Sequence, residues 1–456
     1  MTFRKTVAAL CLGLVGPYAC ATEGALDPAF GSDGFARNGL QGGNGDSAPM
    51  AIASDGRIAT CATASGGFAD IVIARFLPSG QADLTFAGSG KLQIDFAANA
   101  DYCTAIAVQA DGKIVVAGWT FNAGGSGWDL AVARVTADGS LDASFGGGTG
   151  KATISFNAQG SIELANGLAV QADGGIVLAG YTSVAGHSED FAVVRLLEDG
   201  SLDSSFNGSG LQTISFDLTG TGARDRAASV AIDSQQRIVL GGIADAGSFQ
   251  YDFAVARLLP DGELDPAFGE GGRATVAFDS GQSQDDQAMA MTLLHDGGIA
   301  LAGFADDSAT ATPNRDLAIA RLLEDGSMDM GFGDAGRLTI PIDLAANGDD
   351  ELKALTELDD GRLLAVGYAY SGLFSEAVAV RVHGNGSLDA SFGTAGIRLY
   401  DFFPSSPPYG GQHLLGVGVH GPWMYASAWI ISQQIPQEQV LIRLQGDAIF
   451  IDGFDG

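Results

Sequence analysis

The sequence predicts an all-β protein built from seven copies of one repeat, and three observations lead to this prediction. Short runs alternate apolar with small or polar residues at period two. Asp-Gly pairs, which favour tight hairpins, separate many of these runs. An arginine recurs at a spacing of about sixty residues, a period typical of repeat architectures. It stands at Arg75, Arg134, Arg195, Arg257, Arg321, Arg381 and Arg443.

Each repeat can be written as four strands. In the second copy we predict strand A over 104–109, strand B over 113–119, strand C over 129–135 and strand D over 151–156. Asp111-Gly112 forms the turn between A and B. Four short antiparallel strands per unit, repeated radially, are the pattern of a β-propeller blade.

The number of blades follows from the spacer after strand C, which ends on a phenylalanine in every copy: Phe30, Phe86, Phe145, Phe206, Phe268, Phe332 and Phe392. The chain opens with a D-like strand, 35–40, and closes with a C-like strand, 439–444. We therefore expect a seven-bladed propeller whose N-terminal strand joins the last blade and closes the ring. A solenoid is the alternative, but it requires polar capping repeats that the sequence does not show.

Segments 111–118, 198–206 and 252–269 resemble the delta-60 repeat family of secreted bacterial proteins. The resemblance covers about residues 26–444 and implies a β-propeller, but it implies no activity. The last copy, at 413–429, departs from the pattern because it lacks the Asp-Gly turn.

Residues 1–21 have the features of a signal peptide. Arg4 and Lys5 precede a short apolar run over 7–16, and Ala19 and Ala21 provide a cleavage site. The propeller would then occupy 22–446, in an exported protein that is extracellular, at the cell surface or periplasmic. The tail 447–456 resembles short aromatic-acidic tails of some exported bacterial proteins, although a frayed end explains it equally well.

The net charge restricts the classes of binding partner, and the cysteine content raises the question of a disulfide. A formal net charge of −31 repels phosphate backbones, so we expect no nucleic acid partner, and no internal stretch is apolar enough to span a membrane. We expect a monomer whose partner is a protein, a glycan or a cell-envelope polymer. Cys61 and Cys103 would remain after export, either as a disulfide between neighbouring repeats or as two buried thiols.

The recurrent arginines could form an anion-binding ring, but each copy also has an aspartate in its spacer. One Arg–Asp clamp per blade explains both recurrences. The spacer aspartates include Asp142, Asp203, Asp265, Asp329 and Asp389.

A second set of acidic residues precedes each A–B turn by ten residues: Asp101, Glu163, Asp225, Asp286 and Asp350. If strand A is innermost, these carboxylates would surround the rim of the channel and could hold Ca²⁺. Otherwise each caps its own loop through backbone N–H groups, the interpretation that we favour.

Aromatic residues recur at the end of strand B, where they would either bind a ligand or pack between blades. The B–C and D–A loops vary most between copies, and functional loops in repeat proteins concentrate on one face. Candidate binding residues on this variable face are Trp119, Trp128, Tyr181, His187, Tyr251, Phe304, Tyr368, Phe374 and Trp429, with Phe249, Arg315 and Tyr370 nearby.

The sequence contains no nucleophile elbow, HExxH, CxxC or EF-hand pattern. The preferred interpretation is therefore an exported, non-catalytic binding or structural module without a cofactor, whose ligand contacts the variable face. The alternative is a metal-dependent propeller hydrolase or lyase that uses the rim carboxylates, with Ca²⁺ as the candidate ion.

Overall fold

The computed structural model is all-β. It describes residues 23–41, 47–64, 69–96, 99–122, 127–156, 162–183, 189–220, 223–247, 250–278, 285–306, 314–342, 344, 348–372, 374–402, 411–431 and 438–446. The predicted signal peptide, the C-terminal tail, Phe249 and His187 lie outside these residues. No helix in the described part of the chain has the length and apolarity required to cross a membrane.

The strands pair antiparallel in sets of four, and we name the strands of each set A to D in order of pairing. Set 1 contains β2 (Met50–Ile52), β3 (Ile58–Ala64), β4 (Asp70–Phe76) and β5 (Lys91–Ile94); set 2, β6 (Asp101–Val108), β7 (Ile114–Asn122), β8 (Gly127–Val135) and β9 (Lys151–Ile154); set 3, β10 (Ile162–Val170), β11 (Ile176–Ser183), β12 (Glu189–Leu196) and β13 (Leu211–Ile214); set 4, β14 (Arg226–Ile232), β15 (Ile238–Gly247), β16 (Gln250–Leu258) and β17 (Arg273–Val276). Set 5 contains β18 (Gln287–Leu293), β19 (Ile299–Asp306), β20 (Arg315–Leu322) and β21 (Arg337–Ile340); set 6, β22 (Asp350–Glu357), β23 (Leu363–Tyr370), β24 (Ser375–Val382) and β25 (Ile397–Tyr400); set 7, β26 (Gln412–His420), β27 (Trp423–Ile430), β28 (Glu438–Gln445) and β1 (Phe35–Gln41). A single parallel bridge, Ile162 to Trp128, joins sets 2 and 3, and a 3₁₀ turn covers Gly146–Gly148.

The four-strand prediction for the second copy is confirmed, although several strand ends differ: strand B continues to Asn122 and strand C begins at Gly127. Strand A begins at Asp101 and not at Thr104, because a bulge between Cys103 and Ala105 interrupts the alternation that sequence reasoning followed. Strand D ends at Ile154, since the N–H of Phe156 leaves the ladder and donates to Glu163 Oε1 at 2.9 Å.

The hydrophobic core consists of separate clusters, each lying between consecutive sets. Strands B and C, which are buried almost throughout, contribute most of these side chains, and the spacer phenylalanines and residues of strands A and D complete the clusters, as Phe86, Ile94 and Ile106 do between sets 1 and 2. One cluster joins set 7 to set 1, where Tyr425 and Leu441 pack with Ile58 and Val72. Each set is therefore stabilised mainly by burial against its two neighbours.

The predicted Arg–Asp clamp is confirmed. Nε of each recurrent arginine contacts the aspartate of its spacer at 2.7–3.0 Å. In six of the clamps a second nitrogen donates to a main-chain carbonyl of the next set, as from Arg75 to Ala137 at 2.6 Å, and Arg381 contacts the Glu23 carboxylate. The spacer phenylalanine lies under the guanidinium, with Phe86 at 4.7 Å from Arg75. The clamp thus fixes the spacer and also joins adjacent sets.

Cys61 and Cys103 form a disulfide that links set 1 to set 2. Cys61 lies on β3 and Cys103 on β6, with their Cα atoms 6.2 Å apart. Both residues are buried in the core cluster between these sets. The bond therefore covalently joins two neighbouring repeats, one of the two alternatives left open by the sequence.

Candidate binding cavity

A cavity of about 670 Å³ is lined by strand A of every set. Its wall includes Met50 of set 1, Thr104 of set 2, Arg226 of set 4 and Val417 of set 7. The volume lies within the range typical of small-molecule sites, which is about 300–1,000 Å³. Of the cavities found, it is the one to which all sets contribute, so we treat it as the candidate site.

A repeated β-bulge turns side chains into this cavity. Pairing between strands A and B shifts register by one residue in sets 2 to 7. The extra residue of a bulge is left out of the ladder and its side chain is redirected. The bulged residues all line the cavity: Thr104, Asn166, Ala228, Met289, Lys353 and Leu415.

A glycine in strand B makes room for the bulge. A Cβ at Gly180 would lie 1.8 Å from the carbonyl oxygen of Leu164 on the facing strand, so only glycine fits. Gly118, Gly242, Gly303 and Gly367 meet the same obstruction at 1.8–2.0 Å. Sequence reasoning noted the residues that follow these glycines, most of them aromatic, and missed the glycines themselves, which were the available signal for the bulge.

Aromatic rings cluster beside the cavity in set 2. Tyr102 stacks on Trp119 with ring centroids 3.7 Å apart, and Trp128 meets Trp119 edge to face at 4.6 Å. Phe121 completes the cluster, 4.9 Å from Trp128. Tyr102 and Trp119 line the cavity and are only half-buried, so a ligand there would meet an aromatic surface. Tyr102 was not among the predicted site residues.

In sets 3 and 4, a cation and an aromatic ring combine. The Arg226 guanidinium lies 4.8 Å from the centre of the Tyr181 ring and forms an ion pair with Glu189. Both Arg226 and Tyr181 line the cavity. Burial would lower the pKa of Arg226, but Glu189 raises it through their hydrogen bond and opposite charges, with smaller contributions from Tyr181 and Tyr251. The structure therefore brings the predicted Tyr181 together with Arg226, which sequence reasoning did not single out.

Sets 5 and 6 contain a similar arrangement around Glu351. Arg315 covers the Phe304 ring at 4.4 Å and contacts Glu351 at 3.2 Å, while Lys353 contacts Glu351 at 2.6 Å. Burial would raise the pKa of Glu351, but Lys353, the Tyr368 hydroxyl and Arg315 together hold it below its usual value. Burial and the charge of Glu351 raise the pKa of Tyr368 above its ordinary range. Glu351 is therefore ionised and Tyr368 protonated near neutral pH.

The remaining predicted aromatic residues differ in how far their side chains are exposed. Trp429 is buried, although it lines the cavity, and its Nε1 donates to the carbonyl of Ser47 at 2.8 Å. Phe304 is also buried, so it packs between elements and offers no exposed ring. Phe374 is half-buried and accepts a bond from Ser371 N through its carbonyl at 2.8 Å.

The five predicted rim acids are buried, and each accepts a bond from the N–H of a residue just after strand D of the preceding set: Asp101 from Phe96, Glu163 from Phe156, Asp225 from Phe216, Asp286 from Phe278 and Asp350 from Ile342, at 2.6–3.0 Å. Gln412 performs the same contact for Phe402 at 2.7 Å with a neutral amide. The contact therefore does not depend on charge. It has the geometry of a loop cap.

The repeats and the four-stranded antiparallel sets define a β-propeller protein. Six segments, 53–86, 109–145, 171–206, 237–268, 296–332 and 358–392, match a family described as a domain of unknown function (DUF5122) beta-propeller. These are the six copies in which the sequence retains the repeat pattern, whereas the divergent copy at 413–429 lies outside the matched segments. A search of curated proteins found no match.

Several solved structures are similar to the chain at low identity. The polysaccharide lyase Uly1 is 11% identical with a TM-score of 0.47, over 88% of this chain and 90% of that one. The β-propeller domain of the trilobed protease from Pyrococcus furiosus is 9% identical with a TM-score of 0.41, over 89% and 95%. A periplasmic gluconolactonase of Pseudomonas aeruginosa is 13% identical with a TM-score of 0.40, over 85% and 96%. Likeness at this level carries no argument about function.

Proposed function

We propose that this protein is an exported, seven-bladed β-propeller that binds a glycan or similar hydroxyl-rich ligand at the aromatic end of the cavity. The observation that carries the proposal is the cavity itself, where rings of Tyr102, Trp119 and Tyr181 are accessible beside the cation of Arg226. Aromatic faces with a few polar groups favour ligands that present both C–H surfaces and hydroxyls.

The seven-bladed ring is part of this proposal. The seven sets would be the blades, and β1 would complete the last one through its antiparallel pairing with β28. Contacts between set 7 and set 1 support closure, since Gln439 Nε2 donates to Thr60 Oγ1 at 2.6 Å and a core cluster spans both sets. We further propose that the repeats are the delta-60 repeats, that residues 1–21 direct export and that the protein is a monomer.

Ligand binding in the cavity can be tested by replacing one tryptophan that lines it and one that does not. Trp119 lines the cavity, whereas Trp423 lies under Arg443, at 4.1 Å, away from the lining residues. We expect a panel of cell-envelope oligosaccharides to include a ligand whose affinity falls at least tenfold in Trp119→Ala, measured by calorimetry. A tenfold loss of affinity corresponds to about 1.4 kcal/mol of binding free energy.

Trp423→Ala is the matched control and should bind like the parent protein. Equal loss in both variants, or no binding to any member of the panel, would contradict the cavity as a glycan site.

The alternative, a metal-dependent hydrolase or lyase that uses the rim carboxylates, has less support. Three of these carboxylates use both oxygens as acceptors for backbone N–H groups, as Asp225 does for Phe216 and Asp245 at 2.6 and 3.1 Å. An ion would have to displace these bonds. Hydrolytic or eliminative cleavage of a glycan that is lost on Asp225→Asn would favour this alternative.

A further inference from the structure

The junction between sets 1 and 2 differs from its equivalents by one additional acidic residue. Among the described residues, one group of three acidic side chains brings an oxygen from each within 4.8 Å of the other two: Asp70, Asp95 and Asp101. Asp70 begins strand C of set 1, Asp95 follows strand D, and Asp101 begins strand A of set 2. At the position of Asp95 the later copies have Ser155, Ser215, Ala277 and Pro341, and only Asp401 repeats the acid. Beside Asp401, however, the strand A residue is Gln412.

Asp101 also lacks a contact that three of its counterparts have. In Asp225, Asp286 and Asp350, Oδ1 accepts the N–H of the residue twenty positions later, at 3.1–3.3 Å. The N–H in that position after Asp101 belongs to Phe121, and it donates to the carbonyl of Ala100 at 3.0 Å. Asp101 is 0% exposed. Its Oδ1 atom is therefore buried, and it has no hydrogen-bond partner.

A buried oxygen without a donor is costly, and a cation would satisfy it. Burial and the negative charges of Asp95 and Asp70 raise the pKa of Asp101, against the opposing effects of Thr120 and the N–H of Phe96. The Thr120 hydroxyl lies beside the carboxylate, but no hydrogen bond of good geometry joins the two groups. It is a further oxygen that could turn to an ion. Lys151, the nearby cation, donates to the main-chain carbonyl of Asp95 at 2.6 Å.

We propose that Asp70, Asp95 and Asp101 bind one Ca²⁺ ion at the junction between sets 1 and 2. Three carboxylate oxygens that all lie within 4.8 Å of one another can surround one ion with Ca²⁺–oxygen bonds of about 2.3–2.6 Å, and Ca²⁺ accepts flexible geometry of this kind. Asp95 is exposed, which gives an ion access from solvent, and Asp101 reaches it from the interior. The site lies at the junction that the Cys61–Cys103 disulfide also joins, so the ion would reinforce the same pair of repeats.

The test compares Asp95→Asn with Asp401→Asn, which removes an exposed acid from the corresponding position beside Gln412. Thermal unfolding of each protein is measured in EDTA and in increasing Ca²⁺. At a Ca²⁺ concentration of a hundred times Kd we expect the melting temperature of the parent protein and of Asp401→Asn to rise by about 3 °C. Asp95→Asn should not show this rise. Its melting temperature in EDTA should not fall below that of the parent, because the substitution removes the repulsion between one exposed carboxylate and the other two.

Terbium provides a second readout that does not depend on stability. Tyr102 follows Asp101 in the chain and stacks on Trp119, so Tb³⁺ bound at the site should show luminescence excited through these rings, competed by Ca²⁺ and absent from Asp95→Asn. An equal Ca²⁺ response in the parent and Asp95→Asn would mean general screening of the negative surface and would overturn the proposal. So would the absence of any response in the parent.

Discussion

At the scale of single residues, the glycine of strand B determines whether the cavity wall can form. Gly180 faces the Leu164 carbonyl, and the bulge on β10 depends on this close approach. We expect Gly180→Ala to destabilise the protein by about 1–3 kcal/mol, because the added methyl group forces the two strands apart. Chemical unfolding monitored by circular dichroism measures this change.

Gly384→Ala is the matched control for this substitution. Its Cβ would meet no atom closer than 3.5 Å, and its φ is not positive, so the free energy of unfolding should change by less than about 0.5 kcal/mol. Equal stability of Gly180→Ala and the parent would show that the bulge tolerates a side chain and that our account of the glycine is wrong.

At the scale of elements, the disulfide joins β3 to β6 across two sets and closes a loop of 42 residues. Replacing both cysteines by alanine should lower the free energy of unfolding by about 4 kcal/mol, mainly through the entropy gained by the unfolded chain. Thermal unfolding with and without reductant measures this loss. The parent protein should respond to reductant and the double variant should not, and a parent that is insensitive to reductant would contradict the bond.

The elements themselves could largely be predicted from the sequence, because alternation, Asp-Gly turns and the recurrent Arg75-type clamp are local signals repeated along the chain. The bulge could not be found in this way, since one inserted residue at Thr104 breaks the alternation on which the prediction depends. Capping by Asp101 and its counterparts was weighed from spacing alone. Their donors, such as the N–H of Phe216, belong to the preceding set and emerge only when the sets are placed side by side.

The candidate site was predicted only in part. Of the aromatic residues predicted from their recurrence, Trp119, Tyr181 and Trp429 line the cavity, but the recurrence does not distinguish accessible rings from buried ones such as Phe304. Tyr102 was missed because none of the residues at the equivalent position in sets 3 to 7 is phenylalanine, tyrosine or tryptophan. Access depends on which long side chain covers a ring, and that is decided by contacts between sets, as between Arg315 and Phe304.

At the scale of the whole molecule, the N-terminal segment connects the two ends of the chain. Phe35 and Ala36 are buried, Arg37 forms an ion pair with Glu438, and Asp27 accepts from Arg443 at 2.8 Å. Deleting residues 23–41 should lower the melting temperature by more than about 5 °C, since several kcal/mol of contacts are lost. It should also promote self-association, because β28 becomes an unpaired edge.

Deletion of residues 447–456 is the control, and it should leave the melting temperature and the elution volume in size-exclusion chromatography unchanged. If the N-terminal deletion left both quantities unchanged as well, the proposed closure of the ring would be wrong.

The bulge on strand A has a consequence for how such a molecule can diversify. Blade folding depends on the clamp, the spacer phenylalanine and the paired B and C strands, none of which includes the bulged residue. Thr104, Asn166, Ala228, Met289, Lys353 and Leu415 already differ widely in size and charge at equivalent places. Evolution, or a designer with a combinatorial library, could therefore change the chemistry of the cavity most freely at Ala228, Met289 and Leu415. Thr104 and Asn166 also donate to main-chain carbonyls of the next set, and Lys353 pairs with Glu351, so substitutions there would alter contacts of the scaffold as well.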